Sequence, residues 1–271
     1  MSFNDVGPVV LMGAGKMGLA MARGWMAAGL PPNQLVLVDP KPADAALEFA
    51  REHDLRLLET PIGILVHVLV LAVKPQIMRE VLAGVAAAVG PHTMVLSIAA
   101  GVQISTIAGA LSSKRIVRAM PNTPAQVGKG ITGAVGSGIT ESDRGVAEAL
   151  LQAMGKVLWF ESEKSLDAVT AVSGSGPAYV FYLVETLAAA GMRHGLDERA
   201  AMQLARETVV GAAALMDADP LPAAQLRANV TSPNGTTAAA LSVLMAPDGL
   251  EQLVERAVYA AKKRSEELGR G

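Results

Sequence analysis

The sequence has no cysteine, which excludes both disulfide bonds and thiol chemistry. Its net charge is only −2 and its basic residues form no stripe, so we expect no nucleic-acid partner. The N-terminus lacks the basic-then-apolar pattern of a secretory signal. The longest apolar run, residues 62–73, is shorter than the ~20 residues that cross a bilayer, so no membrane partner is expected. Together these absences predict a soluble, cytoplasmic protein.

Groups that could carry chemistry by themselves are also scarce. The four histidines show no metal-ligand spacing, so no metal site is expected. One of them, His67, lies within the apolar run and is predicted to be a buried strand residue. No Ser-His-Asp order and no nucleophile elbow stands out. We therefore expect a cofactor to supply the chemistry and the protein to orient it.

Apolar residues, by contrast, are abundant. They make up 51% of the 271 residues, and the mean hydropathy is +0.36. A chain of this length forms one large domain or two modest ones, with enough apolar material for a sizeable core. The apolar content exceeds what one monomer hides easily, which favours an oligomer.

A strand, a glycine-rich turn and a helix start follow one another near the N-terminus. Residues 9–12 are apolar and run into Gly13-Ala14-Gly15-Lys16-Met17-Gly18, which precedes the apolar helix start at residues 19–22. In such a motif the glycines allow a tight turn, a close approach to a pyrophosphate and close helix packing. The motif predicts a dinucleotide site, and the alternative is a glycine-lined structural turn.

The second predicted strand, residues 34–39, ends in Asp39. An acid about 20 residues after the glycines usually binds the ribose 2′-hydroxyl, and its charge repels a 2′-phosphate. Asp39 therefore favours NADH, whereas Lys41 could pair with a phosphate and favours NADPH. The alternative for Asp39 is a helix cap or a turn residue before Pro40.

Strand and helix patterns alternate over the first part of the chain. Further strands are predicted at residues 55–58, 66–73, 93–99, 115–119, 133–135 and 157–160, and helices at residues 42–53, 76–89 and 141–154. This alternation predicts a Rossmann-type α/β domain with a doubly wound, mainly parallel sheet over residues 1–162. Residues 163–271 carry only helical spacing, for example over residues 180–191, 197–216, 236–245 and 249–268. We predict that they form an all-helical domain.

Ligands of open α/β sheets bind beyond the carboxyl ends of the strands. The predicted strand ends carry Ala72-Val73-Lys74-Pro75, Ala99-Ala100-Gly101 and Met120-Pro121-Asn122. From these we assign Ala72, Val73, Lys74, Pro75, Ala99 and Asn122 to cofactor binding, together with Gly13 to Gly18 and Asp39. The alternatives are a solvated loop lysine for Lys74 and a turn residue for Asn122.

Two hydroxyl-rich turns open helices in the second half. One contains Ser173 and Gly174 and continues to Pro177 and Tyr179, and the other runs from Thr231-Ser232-Pro233-Asn234 to Gly235-Thr236-Thr237. Backbone N–H groups, hydroxyls and the helix dipole make each a candidate cradle for a carboxylate. The alternative is ordinary helix capping. Two such turns beside a nucleotide fold favour a small anionic substrate.

These motifs together resemble pyrroline-5-carboxylate reductases. The matching segments are the glycine motif, residues 72–75, residues 118–124, residues 173–179, residues 231–233 and residues 235–237. The resemblance implies a Rossmann domain followed by a helical dimerisation domain. It also implies a homodimer through the helical domain, and the family's dimers commonly assemble further into decamers.

The resemblance further implies the reaction and the roles of particular residues. The reaction is reduction of Δ1-pyrroline-5-carboxylate to L-proline, the final step of proline biosynthesis, by hydride transfer from NADPH or NADH. Ser232, Gly235, Thr236 and Thr237 would bind the substrate carboxylate. Thr237 matches the family threonine thought to hydrogen-bond the ring nitrogen, and it is the predicted catalytic residue.

Three positions depart from the family pattern. Asn234 stands where the family usually has glycine, His67 where it often has an acid, and Asp39 where NADPH-preferring members have a polar or basic residue. Two other functions remain open at this point. One is a related 3-hydroxy-acid dehydrogenase or another imine reductase, and the other is a nucleotide-binding redox sensor without catalytic activity.

Overall fold

A computed structural model describes residues 3, 6–61, 63–64 and 66–269, so the first residue of the apolar run at 62 lies outside it. The chain divides into two compact units. Met1–Gly174 with Ala261–Gly271 form the first, which we call the sheet unit, and Ser175–Ala260 form the second, which we call the helical unit. In the described part of the chain, no helix is long and apolar enough to span a membrane.

The sheet unit contains an eight-stranded sheet of order β3-β2-β1-β4-β5-β6-β7-β8. The strands are β1 (Val9–Met12), β2 (Leu35–Val38), β3 (Arg56–Leu58), β4 (Val68–Leu71), β5 (Met94–Ser97), β6 (Ile116–Met120), β7 (Gly130–Ser137) and β8 (Gly155–Trp159). All neighbours pair in parallel except β6 and β7. The strand order reverses between β1 and β4, as in doubly wound folds. The predicted mainly parallel sheet is confirmed.

Both faces of the sheet are covered by apolar side chains. Along β1, Val9 and Leu11 belong to one buried cluster, and Val10 and Met12 belong to the other. This alternation follows from the pleat, which points successive side chains to opposite faces. The helices of this unit are α1 (Lys16–Ala27), α2 (Asp44–Glu52), α3 (Met78–Val85), α4 (Ile104–Leu111), α5 (Glu141–Gln152) and α6 (Ser165–Val169). A sheet covered on both faces explains why its central strands are continuous apolar runs.

Three details of the sheet unit differ from the sequence-based prediction. His67 is exposed and precedes β4, so the prediction of a buried strand residue is wrong. The strand predicted at residues 133–135 extends over the whole of β7 and runs antiparallel to β6. Helix α4 was not predicted, because its serine, threonine and glycine residues weaken the helical pattern.

The helical unit consists of α7 (Gly176–Arg193), α8 (Glu198–Ala218), α9 (Ala223–Asn229), α10 (Thr236–Leu244) and most of α11 (Leu250–Leu268). Asp197 caps α8, as predicted, by accepting a hydrogen bond from the Ala200 N–H at 2.9 Å. The apolar residues buried among the described residues of this unit are Ala188, Ala201 and Ala205. Its large apolar side chains, by contrast, are mostly exposed, including Phe181 at 62% and Leu204 at 57%.

Candidate active site

The glycine motif follows β1 and leads into α1, and its three glycines have three different surroundings. Gly13 has φ +95°, and its N–H donates to the Val38 carbonyl at 2.8 Å, which ties the turn to β2. A Cβ at Gly15 would have no described heavy atom within 4 Å, and Gly15 is the N-cap of α1. A Cβ at Gly18 would overlap the Gly13 carbonyl oxygen. The three positions therefore supply a tight turn, an open approach to the helix N-terminus and close packing, as a bound pyrophosphate requires.

A crevice of about 320 Å³ lies where β1, β4, β5 and β6 end. It is lined by Gly15, Lys16, Met17, Ala72, Val73, Lys74, Pro75, Ile98, Ala99, Ala100, Met120 and Pro121. The crevice is at the point where the strand order reverses, which is the usual ligand position in such sheets. Lys16 and Lys74 are exposed at its rim and can face the phosphates of a dinucleotide. The residues around the crevice therefore fit a dinucleotide cofactor.

Five predicted cofactor residues lie beside the crevice and are not among the described residues that line it: Gly13, Ala14, Gly18, Asp39 and Asn122. Asp39 is half-buried, and its two carboxylate oxygens accept the Ala14 N–H at 3.0 Å and the Lys41 N–H at 2.9 Å. Each oxygen keeps a further lone pair, so the carboxylate can also accept from a ribose hydroxyl. Asp39 thus holds the glycine turn against the end of β2.

Asn122 is buried at 8% exposure and has a structural hydrogen-bond pattern. Its Oδ1 accepts the Ile131 N–H at 3.0 Å, and its backbone carbonyl accepts the Ala125 N–H at 3.1 Å. These bonds fix the turn between β6 and β7, as expected for the turn alternative. A contact of Asn122 with the nicotinamide remains a prediction.

A π-helical turn, residues Thr170–Gly174, carries the first hydroxyl-rich motif. The Thr170 hydroxyl donates to the Leu166 carbonyl at 2.7 Å, and the Ser173 hydroxyl donates to the Val169 carbonyl at 3.1 Å. A hydroxyl has one proton, so neither group can donate to a substrate while these bonds persist. π-turns inside helices occur frequently at functional sites, which agrees with the position predicted for this motif.

The second hydroxyl-rich motif belongs to the helical unit. Asn234 has φ +59°, a left-handed conformation that asparagine tolerates better than most residues, and this explains how it replaces glycine there. The Gly235 N–H donates to the Ser232 carbonyl at 3.1 Å, and a Cβ at Gly235 would overlap the Ser232 hydroxyl oxygen. Gly235 is the N-cap of α10 and has no side chain to cap it. The first N–H groups of α10, which include those of Thr236 and Thr237, therefore suit an anionic ligand.

One ion pair of the sheet unit, between a buried arginine and a half-buried glutamate, was not predicted from the sequence. Arg118 on β6 is buried at 5% exposure, and its Nη1 lies 2.7 Å from the Glu163 Oε1. The same oxygen accepts the Ile104 N–H at 2.8 Å, so it also binds the N-terminus of α4. An arginine within an apolar strand pattern was the available signal, because a buried guanidinium requires an acidic partner.

The fold and the crevice define a dinucleotide-binding oxidoreductase with a second, helical unit. A family model described as pyrroline-5-carboxylate reductase dimerisation matches residues 163–268, and one described as NADP oxidoreductase, coenzyme F420-dependent, matches residues 8–101. Pyrroline-5-carboxylate reductase of Pseudomonas aeruginosa is 39% identical over 264 residues, which cover 96% of each chain. The chain belongs to the pyrroline-5-carboxylate reductase family.

Solved structures agree with this assignment. A pyrroline-5-carboxylate reductase from Coxiella burnetii is 33% identical, has a TM-score of 0.89 and matches over 97% of this chain and 99% of its own. The Plasmodium falciparum pyrroline carboxylate reductase with NADP bound is 28% identical, with a TM-score of 0.82 over 97% and 98% of the two chains. The predicted Rossmann domain followed by a helical dimerisation domain is confirmed.

Proposed function

We propose that this protein reduces Δ1-pyrroline-5-carboxylate to L-proline with NADPH or NADH, the final step of proline biosynthesis. The observation that carries the proposal is the crevice at the strand ends, where three glycines supply the three geometries that a pyrophosphate needs. The likeness to the P. aeruginosa reductase along 96% of the chain supports the choice of substrate.

The cofactor residues follow from the crevice. Gly13 to Gly18 hold the pyrophosphate at the N-terminus of α1, with Lys16 beside the charge. Asp39 accepts the ribose hydroxyls, and residues 72–75, Ala99 and Asn122 lie near the rest of the cofactor. When bound, the reduced nicotinamide supplies a hydride to the C=N carbon of the substrate.

The substrate residues follow from the two hydroxyl-rich turns. Ser232, Gly235, Thr236 and Thr237 bind the substrate carboxylate through hydroxyls and through the first N–H groups of α10. The first turn, with Ser173 and Gly174, lies beside the crevice residue Met120, and we assign these two residues to substrate binding as well. The boundary that we propose between the cofactor and substrate domains is at residues 162/163, before the division of the compact units at Gly174.

Thr237 orients the ring nitrogen of the substrate by a hydrogen bond. A threonine hydroxyl is too weak an acid to provide a proton near neutral pH. The proton therefore comes from solvent or arrives with the substrate as an iminium ion. Positioning of the two reacting carbons in contact then removes several kcal/mol of the barrier.

The protein is an oligomer, and we infer a homodimer formed through the helical unit, with a decamer as the further assembly that the family resemblance implies. The exposed apolar side chains of α7 and α8 support this inference. We also infer a cytoplasmic location, in line with the expectation from the sequence.

The test is turnover of pyrroline-5-carboxylate with NADPH and with NADH, followed by nicotinamide absorbance and by mass spectrometry of the product. We expect oxidation of one cofactor molecule for each proline formed, and a loss of about 30-fold in kcat/KM for Thr237→Val, since a hydrogen bond to a charged group contributes about 2 kcal/mol. A protein that binds the cofactor without oxidising it would be a sensor. Turnover of a 3-hydroxy acid with NAD+, without turnover of pyrroline-5-carboxylate, would support the dehydrogenase alternative.

A further inference from the structure

The methyl group of Met120 occupies the place where Gly174 would carry a side chain. A Cβ at Gly174 would lie 2.9 Å from the Met120 Cε and 3.7 Å from the Thr170 Cγ2. Met120 is the last residue of β6, is half-buried and lines the crevice at the strand ends. Met120 therefore lies beside the π-turn and also lines the crevice.

We infer that Met120 is a positioning residue that couples the π-turn Thr170–Gly174 to the cofactor crevice, with Gly174 required as glycine to leave room for it. The inference rests on the proposed function, because the crevice has to hold the nicotinamide cofactor. It adds a role for a methionine to which the sequence analysis gave none.

The backbone does not explain why residue 174 is glycine. Gly174 is not one of the described glycines that have a positive φ, so its backbone conformation does not strain an L side chain. Glycine within a helical segment costs about 1 kcal/mol relative to alanine. The close approach of the Met120 methyl gives a spatial reason for glycine at this position.

The strand that carries Met120 has little freedom to move. Arg118, two residues before Met120 on the same strand, is buried and bound to Glu163. Met120 itself pairs with Gly133 across the antiparallel ladder of β6 and β7. A methionine side chain, by contrast, is unbranched and adapts easily. An added methyl at residue 174 will therefore displace the thioether of Met120 and leave the strand in place. Because Met120 and Pro121 both line the crevice, we expect the displacement to change its wall there.

The experiment compares Gly174→Ala, Met120→Val and the double variant in the full chain. Met120→Val keeps carbon at the γ position, 3.9 Å from a Cβ at Gly174, and removes the clashing Cε. Gly109→Ala is the matched control, because Gly109 is exposed on α4 and its Cβ would have no described heavy atom within 4 Å. The readouts are the Kd for NADPH by calorimetry, kcat and KM, and methyl resonances of protein labelled at the methionine methyl groups.

In Gly174→Ala we expect the Met120 methyl resonance, identified by its loss in Met120→Val, to shift without any cofactor present. The Kd for NADPH should rise about 5-fold, a change of about 1 kcal/mol. Adding Met120→Val to Gly174→Ala should bring the Kd back to within about 2-fold of Met120→Val alone. Gly109→Ala should behave as the wild type. If Gly174→Ala does not fold, recovery of the fold in the double variant supports the same contact.

Two results obtained with folded variants would overturn the inference. One is an unshifted Met120 methyl in folded Gly174→Ala, and the other is a double variant whose losses are the product of the single losses. A double variant that stays unfolded alongside unfolded Gly174→Ala also contradicts the inference. Wild-type protein that binds neither NADPH nor NADH would overturn the proposed function together with the inference. Normal binding with no coupling would overturn the inference alone.

Discussion

The sheet unit and the helical unit use their apolar residues in opposite ways. The sheet unit buries large side chains in clusters on both faces of its sheet, for example Trp25 in one cluster and Met78 in the other. In the described part of the helical unit the buried apolar residues are Ala188, Ala201 and Ala205, while large side chains such as Phe181 face outward. Extended exposed apolar surfaces mark interaction sites, so the helical unit presents a face suited to a partner surface.

The two units also provide different chemistry. The sheet unit offers a crevice lined mainly by small and apolar residues with backbone N–H groups at the N-terminus of α1. The helical unit offers hydroxyls and a helix N-terminus at residues 231–237. A large, flat cofactor suits the first arrangement and a small carboxylate suits the second.

The largest expected effect concerns the exposed face of the helical unit. Phe181→Glu together with Leu204→Glu should abolish the oligomer and the activity, because two apolar anchors at ~2 kcal/mol each correspond to association about 1,000-fold weaker. Sedimentation velocity measures the oligomeric state. Leu47→Glu is the control, since Leu47 is 49% exposed on α2 of the sheet unit, and it should leave the assembly intact. An intact oligomer in the double variant would show that this exposed apolar face does not hold the subunits together.

A second prediction concerns an ion pair of the sheet unit. Asp143 is buried, binds Arg115 and forms a capping box with Thr140 at the start of α5. Burial raises the pKa of Asp143, but hydrogen bonds from Arg115 and Thr140 outweigh burial and hold the pKa below its ordinary 3.8. Asp143→Asn should lower the free energy of unfolding by about 2 kcal/mol at neutral pH.

The pH dependence gives the same residue a second test. A carboxylate with a lowered pKa stabilises the fold above its ordinary pKa, and this stabilisation is lost as the pH falls through the pKa of the folded state. The wild type should therefore lose stability below about pH 4 more steeply than Asp143→Asn. Glu267→Gln removes an exposed ion pair with Arg264 and should change stability by less than about 0.5 kcal/mol. Parallel acid-unfolding curves of wild type and Asp143→Asn would contradict the assignment.

A third prediction concerns the choice between the two cofactors. Asp39→Ser removes the charge that repels a 2′-phosphate, so the ratio of kcat/KM for NADPH to that for NADH should rise about tenfold. Steady-state kinetics with both cofactors measures the ratio. Asp44→Ser, at an exposed acid at the start of α2, should leave the ratio unchanged. An unaltered ratio in Asp39→Ser would remove Asp39 from the ribose site.

The smallest expected effect concerns the left-handed residue of the helical unit. Asn234→Ala should lower the free energy of unfolding by about 1 kcal/mol, because the Cβ of alanine is strained at the positive φ of this position. The KM for the imino acid should rise about threefold, since about 0.7 kcal/mol of loop distortion corresponds to that change. Asn234→Gly should match the wild type within about twofold in KM, because glycine adopts this conformation freely. Equal behaviour of the two variants would show that the loop conformation is not needed.

The sequence predicted the features that depend on local pattern. The continuous apolar runs of β1, β2, β4 and β5 and the glycine turn were found where they were expected, because strands covered on both faces carry a strong signal. Strand β7 was predicted too short, because its glycines weaken the strand pattern. Those glycines are explained by tertiary contacts, since a Cβ at Gly133 would lie 2.8 Å from the Val169 Cγ1.

The candidate site was predicted unevenly for the same reason. Eight of the predicted cofactor residues line the crevice, because strand ends in a parallel sheet meet at one edge: Gly15, Lys16, Met17, Ala72, Val73, Lys74, Pro75 and Ala99. Met120 was placed at a strand end without a role, and the pair of Arg118 and Glu163 was missed. Their roles depend on contacts between residues far apart in sequence, which no local pattern records.

The most direct test of the division between the two units is the Kd for NADPH of Gly15→Ala compared with that of Thr237→Val. An alanine at Gly15 has space and an ordinary φ of −75°, so the variant should fold normally while its methyl enters the cofactor cradle. The Kd for NADPH should be at least about tenfold higher than the wild-type value in Gly15→Ala and within about twofold of it in Thr237→Val. Unchanged binding in Gly15→Ala, or an equal loss in Thr237→Val, would contradict this division between the units.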